Sequence, residues 1–372
     1  MTKTIPEILA GETFARDDVI ALLSTTDPAD AEAIRTAAHR VLVDNCGTSV
    51  FLRGLVEFSN RCASDCHYCG IRKGNAGVKR YCLTKDEIVD AARFCAEAGY
   101  GSMVLQSGER RDERFVSFVE DVVCAIKKET VSNTLPRGLG ITLSVGEQTP
   151  EAYKRFFNAG AHRYLLRIET SSPRLFASIH PSRQSFEARL ACLAFLKDAG
   201  FQVGTGVMIG LPGQTVQDLA DDVLFFRAID ADMIGMGPFI VHRQTPMARH
   251  DEAMAARKKE TLELALRMIA VTRLVCRDVN IASATALQAM EPLGREMGLL
   301  HGANVVMPQA TPARVRRDYQ LYEGKPCLDE NAQECRECLC GRIRSLGREP
   351  ATGQWGDPKH FDARQRHAAA QQ

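Results

Sequence analysis

Eight short β-rich runs alternate with helical stretches along most of the chain, and that alternation limits the fold more than any other feature. The runs are 52–59, 102–107, 140–145, 162–169, 201–209, 232–239, 280–285 and 303–308. Helix starts stand between them. Thr84 and Glu87 form a capping-box pattern, and Gly99 is placed to end that helix. Thr215 with Asp218 repeats the pattern more weakly, and Asp27 before Pro28 opens a helix ahead of the first strand. Strands that are each followed by a helix or long turn predict an α/β fold, a closed (β/α)8 TIM barrel. A doubly wound sheet is the alternative that strand count leaves open. On this reading residues 1–48 are helices outside the barrel or across its lower end, and 49–312 are the barrel. Residues 313–350 are an extension with its own cysteines, and 351–372, which lack apolar periodicity, are a loosely ordered tail.

Composition matters for the cysteines. The opening "MTKTIPEILAGETFARDD" has no apolar h-region, so a cytoplasmic setting with reduced thiols is expected. A net charge of +1 gives no case for a nucleic-acid or membrane partner, and no apolar run is long enough to span a bilayer. Thirteen cysteines in such a setting point to metal or redox work. Cys95, Cys124, Cys192 and Cys276, in helical patterns, are read as packing residues, and Cys46 and Cys82 likewise.

The stretch "NRCASDCHYCG" directly after the first strand is different. Cys62, Cys66 and Cys69 stand in a C-x3-C-x2-C spacing. A structural zinc site closes its tetrahedron with four protein ligands, and His67, next to Cys66, is poorly placed to be the fourth. A four-iron cubane on three thiolates keeps one iron open to a small molecule. A zinc loop completed from elsewhere is the alternative.

The fourth run, "HRYLLRIET", breaks the apolar habit of a parallel strand. Period-two alternation puts Arg163, Leu165, Arg167 and Glu169 on one face, and His162, Tyr164, Leu166 and Ile168 on the other. Two arginines and a glutamate would be costly in a packed core but suit a polar cavity. Arg163, the deepest, is expected to hold an anion inside the barrel. Gln106, Ser144, Met236 and Thr285 are further candidates for the cavity wall, each with an equally ordinary reading as a core or strand-end residue.

The cysteine triplet, with Tyr68 before its third member, resembles the hallmark of the radical SAM superfamily. The resemblance implies a 4Fe-4S cluster on Cys62, Cys66 and Cys69 whose open iron chelates S-adenosylmethionine. One electron then cleaves the sulfonium and releases a 5′-deoxyadenosyl radical. Ser107-Gly108-Glu109 resembles the family's G-G-E element, which receives the methionine amino group, with serine in the first position. "GVMIGLPGQ" (206–214), which includes Met208, resembles the adenine-contacting element, with Gly213 in place of its acidic residue. More specifically, "KRY" (79–81), "AHRYLLRIETSSP", "GMGPFIVHRQTP", "GANVVMPQATP" and "YQLYEGKPC" resemble the FeFe-hydrogenase maturase family HydE.

That resemblance implies that Glu169 and Arg189 hold S-adenosylmethionine, with Arg189 on its carboxylate, and that Tyr319 and Tyr322 lie near a large barrel cavity. It implies a substrate that is an iron–cysteine complex carrying carbon monoxide and cyanide, made by a tyrosine-cleaving partner maturase. The radical would attack the cysteine sulfur during assembly of the hydrogenase diiron subcluster. Expected partners are the other hydrogenase maturases and an electron donor such as ferredoxin or flavodoxin. An anionic metal complex needs a buried cationic host, for which Arg163 is the candidate.

Cys327, Cys335 and Cys338 are spaced C-x7-C-x2-C, with Cys340 just beyond. Thiols this close usually mean a metal, and zinc stays open. The resemblance implies an accessory 2Fe-2S or 4Fe-4S cluster, dispensable for the central reaction. Three alternatives remain. Biotin synthase carries a second cluster on cysteines inside its barrel, whereas none of the eight runs contains a cysteine. Methylornithine synthase is harder to separate. A metal scaffold or carrier without radical chemistry would explain the cysteines but not Arg189 or the charged fourth strand.

Overall fold

The computed structural model describes residues 3–370 apart from Glu330, and the side chains of Cys335 and of residues 367–370 lie outside the described set. Eight parallel strands form one curled sheet: β1 (Ser49–Ser59), β2 (Ser102–Ser107), β3 (Gly140–Ser144), β4 (Arg163–Leu165), β5 (Gln202–Thr205), β6 (Met233–Ile234), β7 (Asn280–Ile281) and β8 (Val305–Val306). Their order is 8-1-2-3-4-5-6-7. The ends meet through a bridge between Ala282 and Val305, supported by bonds from Ser283 N–H to the Val305 carbonyl and from Asn304 N–H to the Ile281 carbonyl, both 2.9 Å. The sheet therefore closes into a barrel. Beyond β5 and β6 the chain pairs again at Met208–Ile209 and Gly237–Pro238. A Cβ on Gly206 would lie 1.9 Å from the Gly235 carbonyl oxygen, so only glycine lets these two strands pinch together there.

The helix signals act as read. Thr84 caps Lys85–Glu97 in a full capping box, Thr215 caps Val216–Ala228 in another, and Asp27 caps Pro28–Cys46. The N-terminal helices α1 (Ile5–Leu9), α2 (Arg16–Ser24) and α3 (Pro28–Cys46) flank the barrel. They pack on one another and on the outer helices Val216–Ala228 and Lys258–Cys276.

The lower end is closed instead by the C-terminal segment, which is ordered over 349–366 where a loose tail is expected from the sequence. Glu349–Ala351 (β9) pairs in parallel with the start of β1. The chain then crosses the barrel floor. Arg163 donates to the carbonyls of Trp355 (2.8 Å) and Gly356 (3.1 Å) and stands 3.3 Å from the Asp357 carboxylate. Arg53 and Asn280 also donate to the Gly356 carbonyl, at 3.1 and 2.8 Å. In the helix Lys359–Ala370, His360 sits between Asp230 (2.6 Å) and Asp278 (3.0 Å), and Arg364 pairs with Asp230 and Asp232. This segment is held by carbonyls and ion pairs, which leave no apolar periodicity to read.

Candidate functional site

The loop after β1 is ordered by its own polar side chains. Asn60, fully buried, donates to the carbonyls of Lys79 (2.8 Å) and Asp318 (2.7 Å) and accepts from Tyr81 N–H (2.8 Å). Arg80 ties the carbonyls of Asn60, Ile71, Arg72 and Asn75 together. The loop rests on the end of β2, where a Cβ on Gly108 would come within 2.5 Å of the Arg61 carbonyl oxygen. That close approach lets Glu109 N–H donate to Cys62 Sγ at 3.3 Å.

Burial pushes all three thiols up: Cys62 above its usual range, Cys66 to about 12 and Cys69 well above its usual range. Their mutual repulsion adds to the effect at Cys66 and Cys69. Three crowded, desolvated thiols become thiolates only against strong positive charge, which iron supplies. Among the described residues no three His, Cys, Asp or Glu groups converge on one ion position. A cubane, taking one thiolate per iron, does not require such convergence. The donor set fits the cluster.

Beside the loop lies a chain of buried charges at the upper ends of β2, β3 and β4. Arg189 donates through Nε to Glu147 (2.7 Å) and through Nη1 to the Arg167 carbonyl. Burial pulls its guanidinium down, but Glu147 outweighs this and holds it above the ordinary range. Glu109 accepts from Ser64 Oγ and Glu147 N–H, each at 2.9 Å. Glu169 has φ +67°, a left-handed conformation rare outside glycine, and is locked there by bonds to Gly206 and Met208 at 2.9 Å. Its carboxylate accepts from Arg167 Nε (3.0 Å) and lies 3.4 Å from the Tyr68 hydroxyl.

Tyr68 also sits 3.4 Å from His180 Nε2. Burial and nearby Arg189 push His180 down to about 3, so the ring is neutral. Nδ1 lies 3.0 Å from the Phe176 carbonyl and must carry the proton, which leaves Nε2 as the acceptor for Tyr68.

Above the barrel floor is a cavity of about 200 Å³. Tyr68, Met208, Arg167 and Glu169 form its wall nearest the cysteine loop, with Gln106, Ser144, Thr285 and Tyr322 around the remainder. Tyr322 and Thr285 share a hydroxyl–hydroxyl bond of 2.8 Å. Tyr319 stands behind the wall and meets Gln106 at 3.2 Å.

Two expected wall residues are elsewhere. Arg163 does face the barrel axis, but at the floor, where Trp355, Gly356 and Asp357 occupy it. Met236 is fully buried on the outer side, its sulfur 3.9 Å from Thr272 of Lys258–Cys276, because the neighbouring Gly235 and Gly237 take the inward places. The wall includes a buried ion pair not anticipated from the sequence. Lys325 Nζ stands 2.5 and 2.6 Å from the Glu57 carboxylate oxygens.

Residues 56–226 match the Radical SAM superfamily. Over 96% of this chain and 97% of its relative, the sequence is 42% identical to the [FeFe] hydrogenase maturase subunit HydE of Thermotoga maritima. The chain belongs to the HydE family of radical SAM enzymes. It is more distantly similar to 3-methylornithine synthase of Methanosarcina acetivorans, at 25% identity across 93% of each chain. The crystal structure of methylornithine synthase (PylB) superimposes with a TM-score of 0.78 at 24% identity, over 94% of this chain and 97% of that one, a likeness of fold.

For a HydE-family enzyme, Glu147, His180, Glu57 and Lys325 are the site residues that sequence reading missed. Glu147 had a usable signal, a carboxylate just past the C-terminal end of β3. In the second cysteine group, Cys327 Sγ accepts from Arg295 at 3.2 Å, and Cys338 is exposed on the helix Ala332–Ser345. Cys335 falls outside the described side chains. Of the cysteines read as packing, Cys95 and Cys192 are buried, Cys46 and Cys276 half-buried, and Cys82 and Cys124 are exposed, so those two do not pack in the core. No described helix is long and apolar enough to cross a membrane.

Proposed function

We propose that this enzyme acts on an iron–cysteine complex carrying carbon monoxide and cyanide, during assembly of the diiron subcluster of FeFe-hydrogenase. The observation that carries this reading is the barrel cavity, walled by Arg167 and Glu169 immediately behind Tyr68 and sealed below by Arg163 and Asp357. Cys62, Cys66 and Cys69 would hold a 4Fe-4S cluster, which would supply the electron for reductive cleavage of S-adenosylmethionine.

This chain's residues do the holding. Ser107, Gly108 and Glu109 receive the methionine ammonium, and Arg189 and Glu169 bind and orient the cofactor, with Arg189 on its carboxylate. Tyr68 and Met208 flank the adenosyl group. Arg167 takes the cationic role first assigned to Arg163, with Gln106, Ser144, Thr285, Tyr319 and Tyr322 shaping the chamber. The chamber excludes water, which keeps a carbon radical from stray reaction. Cys327, Cys335 and Cys338 hold an accessory cluster away from this chemistry. Partner maturases supply the complex and take the product.

Anaerobic reconstitution followed by dithionite and S-adenosylmethionine should release 5′-deoxyadenosine, and Cys69→Ala should abolish it. Adding the iron carbonyl–cyanide–cysteine complex should then consume the radical and alter that complex. Formation of 3-methylornithine, with the iron complex untouched, would instead assign methylornithine-type chemistry.

A further inference from the structure

Glu147, buried just past β3, touches both Glu109 and Arg189. Its backbone N–H donates to Glu109 Oε2 at 2.9 Å, and its Oε1 accepts from Arg189 Nε at 2.7 Å. Its other carboxylate oxygen is taken by Arg111, which also reaches Glu109 at 3.2 Å. The turn that carries it is fixed. Gly146 has φ +79°, and a Cβ there would stand 2.6 Å from Glu109 Oε2, so only glycine lets that carboxylate lie against the turn. The Tyr164 hydroxyl donates to the Gly146 carbonyl at 2.6 Å, and Gln148 N–H donates to the Tyr153 hydroxyl at 3.0 Å. Gln148 Nε2 bonds the carbonyls of Arg110 (2.7 Å) and Val145 (3.1 Å), tying together the segments that follow β2 and β3. Arg189 arrives from the helix Phe186–Asp198 with Nε on Glu147 and Nη1 on the Arg167 carbonyl. Its Nη2 has no partner among the described residues. A carboxylate beside a guanidinium with a spare N–H is the chemistry that recognises the ammonium and carboxylate of an amino acid.

We propose that Glu147 is a positioning residue for the amino-acid end of S-adenosylmethionine. It sets the separation between Glu109, which takes the ammonium, and Arg189, which takes the carboxylate, by aiming Arg189 Nη2 at the ligand. The inference rests on the reading that Glu109 and Arg189 hold the cofactor. Both carboxylate oxygens of Glu147 and its N–H are already occupied, so it acts through its neighbours and not by contact. A carboxylate beside Arg189 could instead compete with the ligand for that cation. The two roles predict opposite results when Glu147 is altered.

The test separates reach from charge. Glu147→Asp keeps the charge but falls one methylene short of Arg189 Nε. Glu147→Gln keeps the reach and gives up the charge, and Arg111 still has Glu109 as a partner. Each reconstituted protein is titrated anaerobically by calorimetry with two ligands. S-adenosylhomocysteine carries the amino-acid group and, as a thioether, offers no sulfonium to cleave; methylthioadenosine lacks that group. Glu147→Asp should bind S-adenosylhomocysteine roughly tenfold more weakly than wild type, the worth of one charged hydrogen bond, and bind methylthioadenosine as wild type does. Glu147→Gln should stay within about threefold of wild type for both ligands. The reverse order, with Gln weak and Asp normal, overturns the proposal, because charge would then matter and reach would not. Binding of S-adenosylhomocysteine by Glu147→Gln that is tighter by more than that margin overturns it in favour of competition. Equal loss of both ligands in Glu147→Asp overturns it too, as a general loosening of the fold. Glu109→Gln and Arg189→Lys judge the underlying reading separately. If neither weakens S-adenosylhomocysteine, that reading fails; if both do while Glu147→Asp binds normally, only the positioning role is lost.

Discussion

The ion pair between Glu57 and Lys325 joins β1 to the C-terminal extension at the cavity wall, with side-chain exposures of 2% and 6%. Every charged atom has a partner. The ammonium meets both carboxylate oxygens and the Tyr319 carbonyl (2.9 Å), and Gln309 donates to the carboxylate at 3.0 Å. Replacing one member of such a pair strands the other charge out of water, which costs about 3–5 kcal/mol. Because Gln309 remains, Lys325→Met should lose about 3 kcal/mol, the lower end of that range. Glu57→Gln should lose about as much, since it strands the ammonium. The double variant removes both charges, and such replacements are often neutral, so it should lie within about 1 kcal/mol of wild type. The thermodynamic cycle should then show a coupling of about 5 kcal/mol, the two single losses less that of the double variant. Denaturant titration of the four reconstituted proteins under anaerobic conditions measures it. Additive losses, with coupling under about 0.5 kcal/mol, would refute the claim that the pair is a closed buried unit.

Two further outcomes are expected. His360 is raised from 6.5 to about 9, first by its bond to Asp278 and then by Asp230, despite partial burial. Its folded pKa exceeds the unfolded one, so its stabilisation is full below about 6.5 and is lost as pH rises through about 9. His360→Gln should therefore melt earlier than wild type at pH 6, by an amount reflecting roughly 2 kcal/mol, and the difference should vanish near pH 10. A constant gap across that range would mean the histidine acts by packing alone. Replacing Cys327, Cys335 and Cys338 with serine should remove the iron of the accessory site, read as about two to four fewer iron atoms per chain, while 5′-deoxyadenosine formation continues. Loss of maturation by a folded triple variant would count against a dispensable cluster.

Much of this architecture was legible because it is written in local rules. Strand runs, the caps at Thr84, Thr215 and Asp27, and the cysteine spacing each depend on neighbours within a few residues. Alternation also placed Arg163, Leu165, Arg167 and Glu169 on the inner face. Alternation gives a side but not a height. Leu165, Arg167 and Glu169 line the cavity, whereas Arg163 belongs to the floor, and what decides its partner is a segment almost two hundred residues away. The same period-two argument applied to β1 would have drawn Arg53 and Glu57 to the inner face, and with them a search for a buried cation. Lys325 itself carried no local sign, because its extension folds by contact with the barrel.

These placements divide positive charge along the barrel axis by commitment. At the floor, Arg53 and Arg163 are spent on backbone carbonyls and Asp357. In the cavity, Lys325 is cancelled by Glu57, and Arg167 is shared between Glu169 (2.9 Å) and the Val207 carbonyl (2.9 Å). At the outer rim, beside Cys62, Arg61 and Arg114 form no ion pair among the described residues. A cavity whose own charges are already paired gains little from a further bare ion. It favours a ligand that is polar in several places and bulky, because such a ligand can exchange hydrogen bonds without leaving a wall charge stranded. An anionic metal complex fits that description provided its charge is spread over several outer atoms. Arg167→Met is therefore the sharper probe of substrate, since it removes the cavity cation shared between a carboxylate and a backbone carbonyl while leaving the Glu57–Lys325 pair intact.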